Sequence, residues 1–446
     1  HGCGITVLVL LFIFILAGGG LGLLFARKYM PSSELADKSR IFGIKGSQVA
    51  LILDNQVQEA KGIYEDGQVY LPVDWVNEYL NQRFYWDEGE KLLVYALPDS
   101  IVYADESTQG EKGPLFKVTD SGMYLSLGVV VNYTDIRTQA FATSQIKRVF
   151  IDTSWQPYDT AVLKKAGQVR VKGGVKSQII TEAAAGETVD VLETLEKWSR
   201  VRTSDGYIGY VENRKLEPGE QVAPVSTFEA PVYTSISMDG KVRLGFHQVT
   251  RQEGNSTLED YASDAKGMNV IVPTWFNVVS SDGTYTSLAS KDYVDKAHDM
   301  GLKVWAMVEN VSTEESVKNL NTKTLMSSTS TRKKLIEKLM NEADTYGFDG
   351  FNLDFESLKA EAGPHYVQFI REMSVACRNK GLVLSVDNYV PSSYTAFYNR
   401  KEQGIVADYV IVMGYDEHYA GGEAGSVSSI PYVREGIENT LKEVPK

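Results

Sequence analysis

The rhythm of apolar and polar positions changes three times along the chain. Ile5 to Ala26 reads ITVLVLLFIFILAGGGLGLLFA without a charge. At about 1.5 Å per residue this run can cross a hydrocarbon core of about 30 Å. A cleaved leader usually has an apolar region of only about 7–15 residues, so residues 1–29 are expected to be a transmembrane signal anchor. The competing reading is a buried core helix, which Gly18, Gly19 and Gly20 would weaken. After the polar tether Met30 to Arg40, short β-type runs recur: Val49 to Leu53, Val69 to Val73 after the turn Glu65-Asp66-Gly67-Gln68, Arg83 to Trp86 and Lys91 to Ala96. With an amphipathic stretch at Val76, Tyr79 and Leu80, they predict an α+β module over 41–157. A weak repeat relates Val69-Tyr70-Leu71 and Leu93-Val94-Tyr95 to Met123-Tyr124-Leu125 and Val149-Phe150-Ile151. Residues 168–217 predict a small all-β unit, with strands at Val169 to Val171, Thr188 to Leu192, Trp198 to Arg202 and Tyr207 to Val211. A Pro-containing linker follows over 218–240.

From Lys241 the pattern becomes strand–helix repetition. Apolar strands are expected at Arg243 to Phe246, Asn269 to Pro273, Lys303 to Val308, Phe348 to Glu356, Val383 to Val386 and Tyr409 to Met413. Helices are expected at Ser290 to Met300, Ser330 to Tyr346 and Pro364 to Lys380. Strands buried on both faces and spaced by helices indicate a parallel sheet, and this many units favours a (β/α)8-type TIM barrel over 241–446. Six units fall short of the eight that close such a barrel. The chain also begins with His1 rather than Met. The expectation is a multidomain fragment of a longer protein, its barrel truncated after about six units.

Composition narrows the functional classes. Apolar residues at 43% and charged residues at 23% exclude general disorder and a multi-span membrane protein. A net charge of −13 argues against a nucleic-acid partner. Two cysteines, Cys3 and Cys377, exclude a disulfide framework and a thiolate zinc site. The five histidines are not spaced as a metal motif.

The informative stretch is Asp349-Gly350-Phe351-Asn352-Leu353-Asp354-Phe355-Glu356. On a strand, Phe351, Leu353 and Phe355 face the helices, while Asn352, Asp354 and Glu356 face the barrel interior. Polar groups in line on a core strand are costly unless paired or functional. Adjacent carboxylates push one pKa upward and so supply a general acid. The competing reading is a structural hydrogen-bond cluster.

DGFNLDFE resembles the DxxDxDxE signature of family 18 glycoside hydrolases, with Asn352 where chitinases commonly carry Asp. Met413-Gly414-Tyr415-Asp416 resembles that family's second signature. Pro273-Thr274-Trp275-Phe276 and Val386-Asp387-Asn388-Tyr389 resemble strand ends of the branch acting on bacterial wall and spore glycans. The resemblance implies substrate-assisted retaining hydrolysis without metal or cofactor. Glu356 protonates the glycosidic oxygen, Asp354 orients the substrate acetamide, and Tyr415 hydrogen-bonds its oxygen. Substrate-binding roles fall to Asp416, Asn352, Asn388 and Met413, with apolar faces from Trp275 and Tyr389. Core packing is an equal alternative for Trp275, and His247 and His418 are expected to be structural or rim residues. Asn352 removes one carboxylate from the row, so Asp354 loses a partner with which to share a proton.

Two further resemblances complete the picture. YLPVDWV and YLSLGVV make 41–157 similar to the N-terminal domain of copper amine oxidases and bacterial surface proteins. It brings no copper, because 41–218 contains neither His nor Cys. Trp198 to Arg202 and Asp205 to Val211 make 168–217 resemble a bacterial SH3-like domain, either a wall-binding module or an inert spacer. The expectation is a single-pass cell-membrane protein with an extracytoplasmic hydrolase domain. It would cleave β-1,4-linked N-acetylglucosamine glycan, with peptidoglycan preferred over chitin, at the wall or spore. The alternatives are a non-catalytic glycan-binding protein on the same fold and a surface spacer or adhesin.

Overall fold

A computed structural model describes residues 30–310, 320–419 and 421–445. The expected anchor, Ile5 to Ala26, lies outside the described residues. Among the described residues no helix is long and apolar enough to cross a membrane. The expected single-pass membrane location is therefore not supported.

The described chain divides into two compact units, Gln109–Ala230 with the residues up to Gln82, and Arg83–Thr108 with Pro231 onward. In the first unit a seven-stranded sheet runs Arg137–Phe141, Arg148–Asp152, Gln48–Leu53, Gln56–Glu65, Gln68–Pro72, Gly122–Ser126, Phe116–Thr119. The two Tyr-Leu segments of the sequence repeat are antiparallel neighbours, Leu125 opposite Leu71. Each leads into a short helix, Val73–Tyr79 and Leu127–Asn132. The repeat then parts, because Leu92–Ala96 belongs to the second unit while Arg148–Asp152 stays in the first. A second, antiparallel seven-stranded sheet spans Thr160–Leu163 to Leu216–Pro218 and contains all four strands expected over 168–217. Ile52 and Phe150 of one sheet share a core with Val169, Val201 and Val211 of the other.

The second unit carries six parallel strands: β1 Leu244–His247, β2 Val270–Pro273, β3 Lys303–Glu309, β4 Gly350–Asp354, β5 Val383–Tyr389 and β6 Tyr409–Met413. They are adjacent in chain order, with β1 and β6 at the edges. The arrangement fits part of a (β/α)8 barrel. Helices α1 Lys291–Asp299, α2 Thr329–Tyr346, α3 Gly363–Lys380, α4 Arg400–Val406 and α5 Ile430–Thr440 lie between or after them. Period-two burial explains the layering. Val304, Ala306 and Val308 of β3, with Phe351 and Leu353 of β4, pack into the helix-side core. Trp305 and Met307 turn inward, onto Val270, Val272, Val383, Leu244 and Tyr409. Residue 350 is glycine because a Cβ there would lie 2.5 Å from the Val383 carbonyl oxygen of β5 and 3.1 Å from Trp305 Cδ1.

Residues 83–108 form a three-stranded meander, Tyr85–Asp87, Leu92–Ala96 and Ile101–Ala104, against α2 and α3. Asp87 Oδ2 accepts from the Thr329 backbone N–H at 2.7 Å and its hydroxyl at 2.6 Å. Glu90 Oε1 accepts from the Ser330 N–H at 2.9 Å. Both carboxylates therefore sit on unsatisfied donors at the start of α2. Arg332, fully buried, forks onto Glu372 at 3.0 and 2.8 Å and reaches the Tyr85 hydroxyl at 3.2 Å.

Candidate active site

The C-terminal ends of β3, β4 and β5 bring three carboxyl groups together. Glu309 is in register with Asp354, and Asn352 with Ser385, two residues before Asp387. Residues in register on parallel strands face the same side, so Glu309, Asp354 and Asp387 form one rung above the apolar plug. Asn352, fully buried, donates from Nδ2 to Asp387 Oδ1 at 2.9 Å and to Ser385 Oγ at 3.1 Å.

Carboxyls from two neighbouring strands, Glu309 and Asp387, lie in the field of Asp354, and among the described residues neither hydrogen-bonds it. Burial first, then the Glu356 charge, pushes the Asp354 carboxyl up to about 7. Glu309 rises to about 7 through burial and then Asp354, against the Asn277 hydrogen bond. Asp387 rises to about 8 through burial, opposed by the Asn352 hydrogen bond and reinforced by Asp354 and Glu356. Asp354 Oδ1 is buried with no hydrogen-bond partner among the described residues. An orphaned acceptor of this kind marks a place for a ligand donor or a proton.

Glu356 lies just past β4 rather than on it, because the strand ends at Asp354. Its backbone is gripped by the Asn310 amide, which donates to the Glu356 carbonyl at 2.9 Å and accepts from its N–H at 2.8 Å. Ser357 follows with φ of 54°, a left-handed turn unusual for a non-glycine residue. The Tyr389 hydroxyl donates to Glu356 Oε2 at 2.7 Å.

The other expected site residues divide. The Tyr415 phenol is raised to about 12 by burial, then by Asp387, Asp354, Glu356 and Asp416, which places it within the field of the cluster. It is 46% exposed. Asp416 is exposed, with φ of 61°. Met413 is buried and in register with Tyr389, on the interior side. Two expected substrate contacts are corrected. Asn388 is 1% exposed and faces the helices, donating to Gln403 Oε1 at 2.6 Å. Trp275 is buried in the helix-side core, its indole N–H bonded to Asn255 Oδ1 at 2.8 Å. His247 is structural, bonded to Tyr293 at 2.9 Å and Thr257 at 3.0 Å. Asp349, the first residue of the signature, lies at the opposite end of β4. It binds Lys303 Nζ and His298 Nε2, each at 2.7 Å, and the Val304 N–H at 2.9 Å. Those bonds outweigh burial and hold its carboxyl below the usual range.

Glu309, Asp387 and Asn310 were not anticipated. The parity of β5 carried a signal: Tyr389 facing inward requires Asp387 inward and Asn388 outward. Among the described residues no group of three or more His, Cys, Asp or Glu could hold a metal ion.

Residues 226–442 match the profile of glycosyl hydrolases family 18. The barrel is a family 18 glycoside hydrolase domain. Residues 169–216 match the bacterial dipeptidyl-peptidase Sh3 domain. An uncharacterized glycosylase, YvbX of Bacillus subtilis (strain 168), is 25% identical over 187 residues, 38% of this chain and 54% of that protein. A cortical fragment-lytic enzyme of the same organism is 30% identical over 127 residues, 27% of this chain and 30% of that protein. The chain thus spans about half or less of the length of these relatives. The solved spore cortex-lytic enzyme SleL of Bacillus cereus superposes with a TM-score of 0.40 at 20% identity, over 51% of each chain.

Proposed function

We propose that the chain is a retaining glycoside hydrolase that cleaves β-1,4-linked N-acetylglucosamine-containing glycan, with peptidoglycan as the preferred substrate over chitin. The observation that carries the reading is the buried, unpartnered Asp354 Oδ1, two residues before Glu356 and inside a rung of carboxyls. Glu356 gives its proton to the glycosidic oxygen as the C1–O bond breaks, and the bond pair leaves with that oxygen. The substrate's acetamide carbonyl oxygen attacks C1 and forms an oxazolinium ion. Asp354 Oδ1 accepts the acetamide N–H, and the carboxylate offsets the positive charge that develops on the ring. Tyr415 holds the acetamide oxygen, and Asp416 positions the sugar. Water then opens the ring with Glu356 as base, so configuration is retained.

A carboxyl poised near 7 suits this work, because substrate binding can tip it into the ionised form. The match to a cortical fragment-lytic enzyme and the Sh3 match over 169–216 support a wall glycan. Residues 168–217 are then a wall-contacting module and 241–446 the catalytic one, beyond the linker 218–240. Residues 41–82 and 109–157, the part that lies in the first unit, serve as a spacer like the N-terminal domain of copper amine oxidases.

The test uses two glycans. Fully N-acetylated peptidoglycan should be cut, and the same glycan chemically N-deacetylated should not. Equal cleavage of both would remove the acetamide from the mechanism.

A further inference from the structure

We propose that Tyr389 is a positioning residue that decides which oxygen of Glu356 carries the catalytic proton. The inference rests on the hydrolase reading above and deepens it. The Tyr389 hydroxyl donates to Glu356 Oε2 at 2.7 Å and accepts the Ser357 backbone N–H at 3.1 Å. A phenol has one hydrogen to give. With that hydrogen aimed at Oε2 and the backbone N–H aimed at the phenol oxygen, a proton on Oε2 would face a hydrogen already pointing at it. The acid proton is therefore held on Oε1, which makes no hydrogen bond among the described residues.

The phenol is built to stay in this role. Its ring meets the buried Tyr398 edge-on at 6.0 Å, and Tyr398 is tied to the Phe355 carbonyl at 3.0 Å. Arg400 Nη2 holds the Tyr389 carbonyl at 3.2 Å. Burial and the bond to Glu356 keep the hydroxyl protonated, its pKa raised to about 12. Glu356 is thus held at two places before substrate arrives: its main chain by Asn310 and its carboxyl by Tyr389.

A donor to the ionised carboxylate favours ionisation. Tyr389→Phe removes that donor and keeps the ring against Tyr398. The alkaline limb of the kcat/KM profile on wall glycan should move up by about half to one pH unit. The rate constant kcat should fall about 10–100-fold with little change in KM, the scale of misplaced general-acid catalysis. On a 2,4-dinitrophenyl glycoside of an N-acetylglucosamine oligomer, whose leaving group needs no proton, the loss should shrink to under about threefold. Equal losses on both substrates with an unmoved profile would overturn the proposal, as would wild-type behaviour throughout. Glu356→Gln, run beside it on wall glycan, separates the two levels of argument. Wild-type activity in Glu356→Gln removes Glu356 as the acid, and no cleavage by wild type sinks the hydrolase reading. An inactive Glu356→Gln with an unaltered Tyr389→Phe sinks only the present inference.

Discussion

Replacing Asn352 by aspartate puts a titratable group into a fully buried site whose neighbour is already a strained carboxyl. Asn352 donates to Asp387 Oδ1 at 2.9 Å, and Asp387 sits at about 8 against an ordinary value of 3.8. At low pH the new carboxylic O–H can replace the amide N–H as donor, so Asn352→Asp should lie within about 1 kcal/mol of wild type. As pH rises, the new group and Asp387 compete to keep a proton between them. A carboxyl whose folded pKa is raised contributes stability that is full below its unfolded value and lost as pH climbs through the folded value. If the new group is held neutral to about 7, from about 3.9 when unfolded, the loss amounts to about 4 kcal/mol at 1.36 kcal/mol per pH unit. Urea denaturation of both proteins from pH 4 to pH 8 reads the difference directly. The stability gap should widen steadily over that window. A gap constant with pH would mean that position 352 does not share its proton with Asp387, and the account of the rung would be wrong.

Other substitutions test separate parts of the structure. Glu309→Gln removes a buried carboxyl raised to about 7 from 4.5, so the variant should gain up to about 3 kcal/mol on wild type between pH 4.5 and pH 8; a fixed offset in denaturation midpoints across that range refutes it. Arg332→Met strands Glu372, 1% exposed, and should cost about 3–5 kcal/mol, while adding Glu372→Leu should recover most of the loss; a double variant no better than the single contradicts the pairing. Asp87→Ala removes the acceptor of the Thr329 N–H and hydroxyl at the start of α2 and should cost about 1–2 kcal/mol by chemical denaturation. Trp275→Ala opens the helix-side core at a cost of about 3–5 kcal/mol. At a temperature where that variant is still folded its KM should match wild type, and a selective rise in KM would return Trp275 to the substrate cleft.

Local pattern made the strand–helix framework readable. Strands buried on both faces and helices ending at glycine, such as α2 at Gly347 with φ of 74°, are written in short windows of sequence. The pair Asp354 and Glu356 was readable for the same reason, since one continuous segment carries both. Groups set by register between strands were not. Glu309 reaches Asp354 from β3, and Asp387 reaches Asn352 from β5, so neither declares itself in its own segment. The attachment of 83–108 to α2 and α3 is also non-local: Asp87 and Thr329 are 242 positions apart. Asn388 was misplaced by proximity to Tyr389, although consecutive strand residues cannot face the same side.

Whether Glu356 is the acid of a wall-glycan hydrolase is decided by incubating the protein with purified peptidoglycan and measuring new reducing ends, with Glu356→Gln in parallel. Wild type should release reducing ends, and the variant at least about 100-fold fewer. Equal release by the two proteins, or binding of the glycan by wild type without cleavage, would contradict that assignment.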